Sequence, residues 1–152
     1  MKLLSAAFQH GGKIPSKHTC DGPNLSPPLR IEGVPAGTKS LALIMEDPDV
    51  PKSIRPDGMW DHWVVFDIPP DVQEIPEGQE PPGTPGLGTG GNTTYFGPCP
   101  PDREHRYFFK LYALDSLLRL PARSSKAKVE KAMEGHILAR VELMGRYQRV
   151  KR

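Results

Sequence analysis

The sequence is short of cysteine, of long hydrophobic runs and of net charge, and each shortage narrows the field. Only Cys20 and Cys99 occur among its 152 residues, with no C-x-x-C pair, so neither a zinc ribbon nor a miniprotein built on disulfides is available. No apolar stretch approaches the roughly 20 residues that a membrane helix requires; the longest clear run is Leu41 to Met45. Near the start, Gln9 and His10 interrupt the apolar residues before a signal-peptide core can form, and the expectation is a cytoplasmic protein. The formal net charge is only +2, yet residues 119–152 hold ten Lys/Arg against three Glu, while residues 1–118 hold ten against fifteen Asp/Glu. No stacking aromatic interrupts that basic stretch before Tyr147, so it reads as a solvated helix face and strand end rather than a nucleic-acid surface.

What is plentiful is proline and glycine, 18 and 15 residues, without the three-residue period of collagen. Long helices therefore cannot dominate. With 37% hydrophobic residues the chain can bury a core, and its length suits a single domain over residues 1–152. Short apolar segments bounded by proline or glycine predict a sheet protein. Lys39–Glu46 is apolar on both faces, as a central buried strand requires. Asp61–Ile68 places His62, Val64, Phe66 and Ile68 on one face by strict alternation, and His105–Leu114 does the same for His105, Tyr107, Phe109, Leu111 and Ala113. A histidine opens the apolar face of each strand. Ser124 or Ser125 caps a helix carrying Val129, Ala132, Met133 and His136 at helical spacing, and a closing strand begins at Ile137. Between the histidine strands, residues 69–92 contain six prolines and six glycines and read as one long irregular loop. Its Gly86-x-Gly88-x-x-Gly91 spells a dinucleotide fingerprint, but the residues that follow cannot form the helix such a cradle needs.

Four strings at strand ends carry the chemistry: Asp47-Pro48-Asp49-Val50-Pro51, Asp61-His62-Trp63, Gly97-Pro98-Cys99-Pro100-Pro101 and His105-Arg106-Tyr107. Two imidazoles and a phenol can donate hydrogen bonds to an anion, and Asp47 can orient an imidazole or receive an ammonium. A phosphate head group fits that set. Singly, each residue has a plainer role, the histidines as satisfied core groups and Asp47 and Asp49 as turn residues. Two rival readings use the same side chains: a hydrolase or lyase with His62 and His105 as acid and base and Asp47 as orienter, and a metal site of Asp47, His62 and His105. No cofactor loop is present in the pattern, and no cofactor is expected.

In this order the four strings resemble the phosphatidylethanolamine-binding protein family. His18-Thr19-Cys20-Asp21-Gly22, Asn24 to Leu29 and Gly135-His136-Ile137-Leu138-Ala139 resemble its bacterial and archaeal branch, called Raf-kinase-inhibitor-like. The resemblance implies a mainly β fold, an antiparallel β-sandwich with Greek-key-type connections and one or two short peripheral helices. It implies a non-enzymatic binding or regulatory protein whose pocket takes phosphate-like anions, with Asp47, Asp49, His62, Pro98, Pro100, His105 and Tyr107 as ligand-binding residues, and it implies a kinase or protease as the inhibited partner. Monomer and homodimer both remain open. Cys20 and Cys99 flank strings assigned to the same rim and should lie near each other, bridged or reduced. Glu104 departs from the family pattern, and a carboxylate there is expected to raise the imidazole pKa or repel an anion.

Overall fold

The computed structural model describes residues 1–150. Two antiparallel sheets lie face to face. The smaller joins β1 (Lys2–Leu4), β2 (Leu29–Glu32) and β5 (Glu74–Ile75) in the order β1-β2-β5. In the larger, β3 (Ser40–Asp47), β4 (Trp60–Ile68), β6 (Thr84–Pro85), β7 (His105–Leu114) and β8 (Ile137–Tyr147) stand in the order β6-β4-β3-β7-β8. After β6 the chain returns to lay β7 beside β3, which gives the spatial order of a Greek key. Leu3, Leu29, Ile31 and Ile75 of the small sheet meet Leu41, Leu43, Met45, Trp63, Val65, Phe109 and Leu111 of the large one in the main core. The opposite face of the large sheet is covered by α1 (Lys126–Met133), whose Val129 and Met133 pack on Ala42, Ile44, Val64 and Phe66. With both faces covered, all eight residues of β3 are buried, which is why its sequence shows a run and not an alternation.

Several expectations need correction. Strict alternation in β4 fails because two β-bulges interrupt its pairing with β3, one between the pairs Leu41–Ile68 and Leu43–Val65, the other between Met45–Trp63 and Glu46–Asp61. At the first, Asp67 takes a left-handed conformation (φ 53°) and its carboxylate accepts hydrogen bonds from the backbone N–H groups of Leu118 and Arg119 at 2.7 and 3.0 Å. Ile68 thereby joins Val65 and Trp63 in the main core, leaving Val64 and Phe66 on the helix side. At the second bulge His62 is the extra residue. The proline- and glycine-rich stretch is not wholly irregular either, since it contributes the two-residue strands β5 and β6. Gly83 and Gly86 lie along β4, with the Gly86 N–H donating to Val64 O at 2.7 Å, and no helix follows Gly91 before β7. Ser125 is the cap of α1, accepting from the Lys128 N–H at 3.3 Å, but the helix ends at Met133. His136 lies beyond it, its ring bonded to Asp115 at 2.8 Å.

Candidate functional site

The second bulge in β4 and the odd-numbered face of β3 and β7 create the site. Asp47, Tyr107 and His105 occupy the same face as Met45 and Phe109, at the end of the large sheet, and the extra residue in β4 turns His62 toward them. The His62 and Tyr107 rings meet edge to face at 5.3 Å, and those of His105 and Tyr107 stack at 6.3 Å between centroids. Around them is a hollow of about 320 Å³ lined by Asp47, Val50, Ile54, Trp60, His62, Phe96, Cys99, Pro100, Pro101, His105 and Tyr107. Most of this wall is apolar. The polar atoms belong to the residues at the sheet end.

Of the predicted ligand residues, Asp47, His62, Pro100, His105 and Tyr107 line the hollow, whereas Asp49 and Pro98 do not. Asp49 instead holds the Arg106 guanidinium at 2.8 and 2.9 Å and accepts the Arg106 N–H at 2.9 Å, and these bonds keep its carboxyl below the usual carboxylate range. Pro98 accepts the Cys20 N–H at 3.1 Å, a bond that holds the wall in place. Cys20 and Cys99 are bridged, with their Cα atoms 5.4 Å apart. Three more bonds fasten the same loop to the N-terminal segment or to β4: Tyr95 Oη donates to His18 O at 2.7 Å, the Gly97 N–H to Asn24 Oδ1 at 3.0 Å, and His62 Nδ1 to Phe96 O at 2.6 Å. Only glycine fits at position 97, since a Cβ there would collide with His18 O and Asn24 Oδ1.

The electrostatics differ from those expected of two donating imidazoles. A carbonyl oxygen can only accept, so His62 spends its Nδ1 proton on Phe96, and the neutral ring is left with Nε2 as a bare acceptor. Burial lowers the His62 pKa to about 4, which keeps the ring neutral at physiological pH. His105 sits between two carboxylates, with Nδ1 2.6 Å from Asp47 Oδ2 and Nε2 2.6 Å from Asp102 Oδ1. Both ring nitrogens are therefore bonded within the line Asp47–His105–Asp102, and neither is free for a guest. Burial raises the Asp47 carboxyl, against the opposing pull of its hydrogen bond from His105. At Asp102 burial also pushes upward, but the hydrogen bonds from His105 and from the backbone prevail and hold the carboxyl low. The Tyr107 hydroxyl is buried close to Asp47 but makes no well-formed hydrogen bond among the described residues, and burial together with the Asp47 carboxylate holds it firmly as the phenol. Trp60, on the wall, also has an unpartnered indole N–H.

Sequence reasoning missed Asp102 beside His105 and Trp60 on the wall. Asp102 touches His105 from three positions upstream, whereas Glu104, the expected perturber, turns away to Arg146 at 2.9 Å. Among the described residues, no lysine or arginine lines the hollow.

The fold is an antiparallel sandwich whose large sheet ends in a small hollow with a polar floor and a proline-stiffened wall. The chain belongs to the phosphatidylethanolamine-binding protein family: the family model of that description matches residues 4–148. It is 49% identical over 149 residues to a UPF0098 protein of Chlamydia pneumoniae, covering 98% of this chain and 99% of the relative. A UPF0098 protein of Methanothermobacter thermautotrophicus is 49% identical over 155 residues, with 98% and 99% covered. Among solved structures, a candidate homologue of the family from Chlamydia trachomatis superimposes with a TM-score of 0.95 at 47% identity, covering 97% of each chain. YbcL of Escherichia coli, described as a new member of the mammalian family, gives 0.87 at 31% identity with 98% of each chain covered.

Proposed function

We propose that this protein is a non-enzymatic binding protein whose hollow receives the oxyanion end of a small phosphorylated or similarly anionic molecule. The observation that carries the reading is the Tyr107 hydroxyl, buried at the hollow without a well-formed hydrogen bond among the described residues. An unpaired buried hydroxyl costs about 1–3 kcal/mol, which an incoming oxygen acceptor recovers. Trp60 offers a second unspent donor, and a volume of about 320 Å³ suits a head group better than a whole lipid. A regulatory role, the inhibition of a kinase or protease, would use the surface around the mouth, where Ile54 and Phe96 are exposed. The Cys20–Cys99 bridge weighs against a reducing cytosol as the setting, so a cytoplasmic location requires that the bond survive there.

Acid–base catalysis is the weaker reading because both ring nitrogens of His105 are committed to carboxylates, and burial lowers the His62 pKa to about 4, too low for its free Nε2 to hold a proton near neutral pH. In the suggested metal set Asp47 and His105 are bonded to each other, which leaves His62 Nε2 as the one free nitrogen, too few donors for a metal site. The test is an NMR and calorimetric titration with inorganic phosphate and phosphoethanolamine. Saturable shifts of the His62 and Tyr107 ring signals, without turnover, are expected, and unmoved signals at millimolar ligand would refute the reading.

A further inference from the structure

Resting on that reading, we infer that the hollow selects its guest by proton count. It admits an oxyanion that still carries an acidic hydrogen, such as the monoanion of phosphate or of a phosphomonoester, and turns away a fully ionised oxyanion of the same shape, such as sulfate. The inference follows from the balance of donors and acceptors. The titratable groups around the hollow are Asp47 from β3, His62 from β4, His105 and Tyr107 from β7, and Asp102 from the loop before β7. His62 presents Nε2, a bare acceptor, because its Nδ1 proton belongs to Phe96. Asp47 is a second acceptor on the wall, its oxygens already taking the Asp49 N–H at 2.8 Å and His105 at 2.6 Å.

An oxygen without a hydrogen placed against either of these would meet lone pair with lone pair. A P–OH in the same place donates a hydrogen bond, while the other phosphate oxygens accept from Tyr107 and Trp60. Charge points the same way. Two carboxyl groups, Asp47 and Asp102, flank the His105 ring, and among the described residues no lysine or arginine lines the hollow to offset a second charge on the guest. The nearby Arg106 is held by Asp49 through two side-chain bonds. Burial keeps His62 neutral down to about pH 4, so the ring does not become a donor when a dianion arrives at neutral pH.

The experiment compares inorganic phosphate with sulfate at matched ionic strength, and follows methyl phosphate from pH 5.5 to 8, on the intact disulfide-bonded chain. Phosphate at pH 6 is expected to bind at least tenfold more tightly than sulfate. Methyl phosphate, with its second ionisation near pH ~6, should lose affinity by close to tenfold per pH unit between 7 and 8. Replacing the acceptor with an amide that can turn its N–H outward, His62→Gln, should narrow the preference and let sulfate in. Sulfate binding as well as phosphate to the wild-type chain, or methyl phosphate affinity that ignores pH, would overturn selection by proton count while leaving the binding function intact. If neither anion moves a signal, the binding function itself fails, and the inference falls with it.

Discussion

Tyr107 and His62 stand side by side, but one is a donor without an acceptor and the other an acceptor without a donor, and they should respond differently to substitution. Tyr107→Phe removes an unpaired buried hydroxyl, so the free protein should keep or slightly gain stability in urea, while phosphate affinity falls about tenfold, the worth of one hydrogen bond to a charged group. His62 carries a pH signature. Folded, it stays neutral down to about pH 4; unfolded, it takes a proton near 6.5. Between those values the unfolded chain binds the extra proton, so stability is complete above about pH 6.5 and declines as the pH falls toward 4, by roughly 3 kcal/mol for this one group. Urea midpoints at pH 7 and 4.5 should show a larger drop for the wild type than for His62→Gln. At this scale the sequence revealed residue types and their neighbours but not their partners. Asp47, His62, His105 and Tyr107 stood out because the strings that carry them lie at strand ends. Asp102 did not, because its contact depends on how the loop ahead of β7 folds back, and nothing in Pro100-Pro101-Asp102-Arg103-Glu104 says which carboxylate faces the ring.

Among the elements, long strands were readable and short ones were not. The ten residues of β7 display their period plainly, whereas β1, β2, β5 and β6 are two to four residues long and offer too few positions for any period to emerge. The bulges in β4 were invisible for a different reason: an extra residue leaves composition unchanged and alters only the face on which each later side chain lies. They place His62 in the hollow and Ile68 in the main core. Asp67 shows that the first bulge is held deliberately, its carboxylate serving two backbone N–H groups from the segment leading to α1. Asp67→Ala would leave both donors without their acceptor and force a left-handed conformation on alanine. A loss of about 1–3 kcal/mol is expected by chemical denaturation, and Asp67→Asn should retain at least half of it.

Across the whole molecule, the N-terminal segment acts as a strap over the wall of the hollow. The Cys20–Cys99 bridge closes a loop with a sequence separation of 79 residues, and Asp21, next to it, gathers Tyr147, Arg149 and the Val150 N–H. Chain entropy assigns such a closure about 4–5 kcal/mol, so reduction should lower the urea midpoint markedly. The native spectrum should persist without denaturant, because four hydrogen bonds still fasten the loop that carries Phe96 and Pro100. Finally, β3 lies at the middle of the molecule, with neighbours to left and right and a covering layer above and below. Water can reach its amides only if the entire assembly comes apart. In deuterium oxide the peptide protons of Leu41 to Met45 therefore keep time for the protein as a whole, and their slow fading measures how often it opens completely.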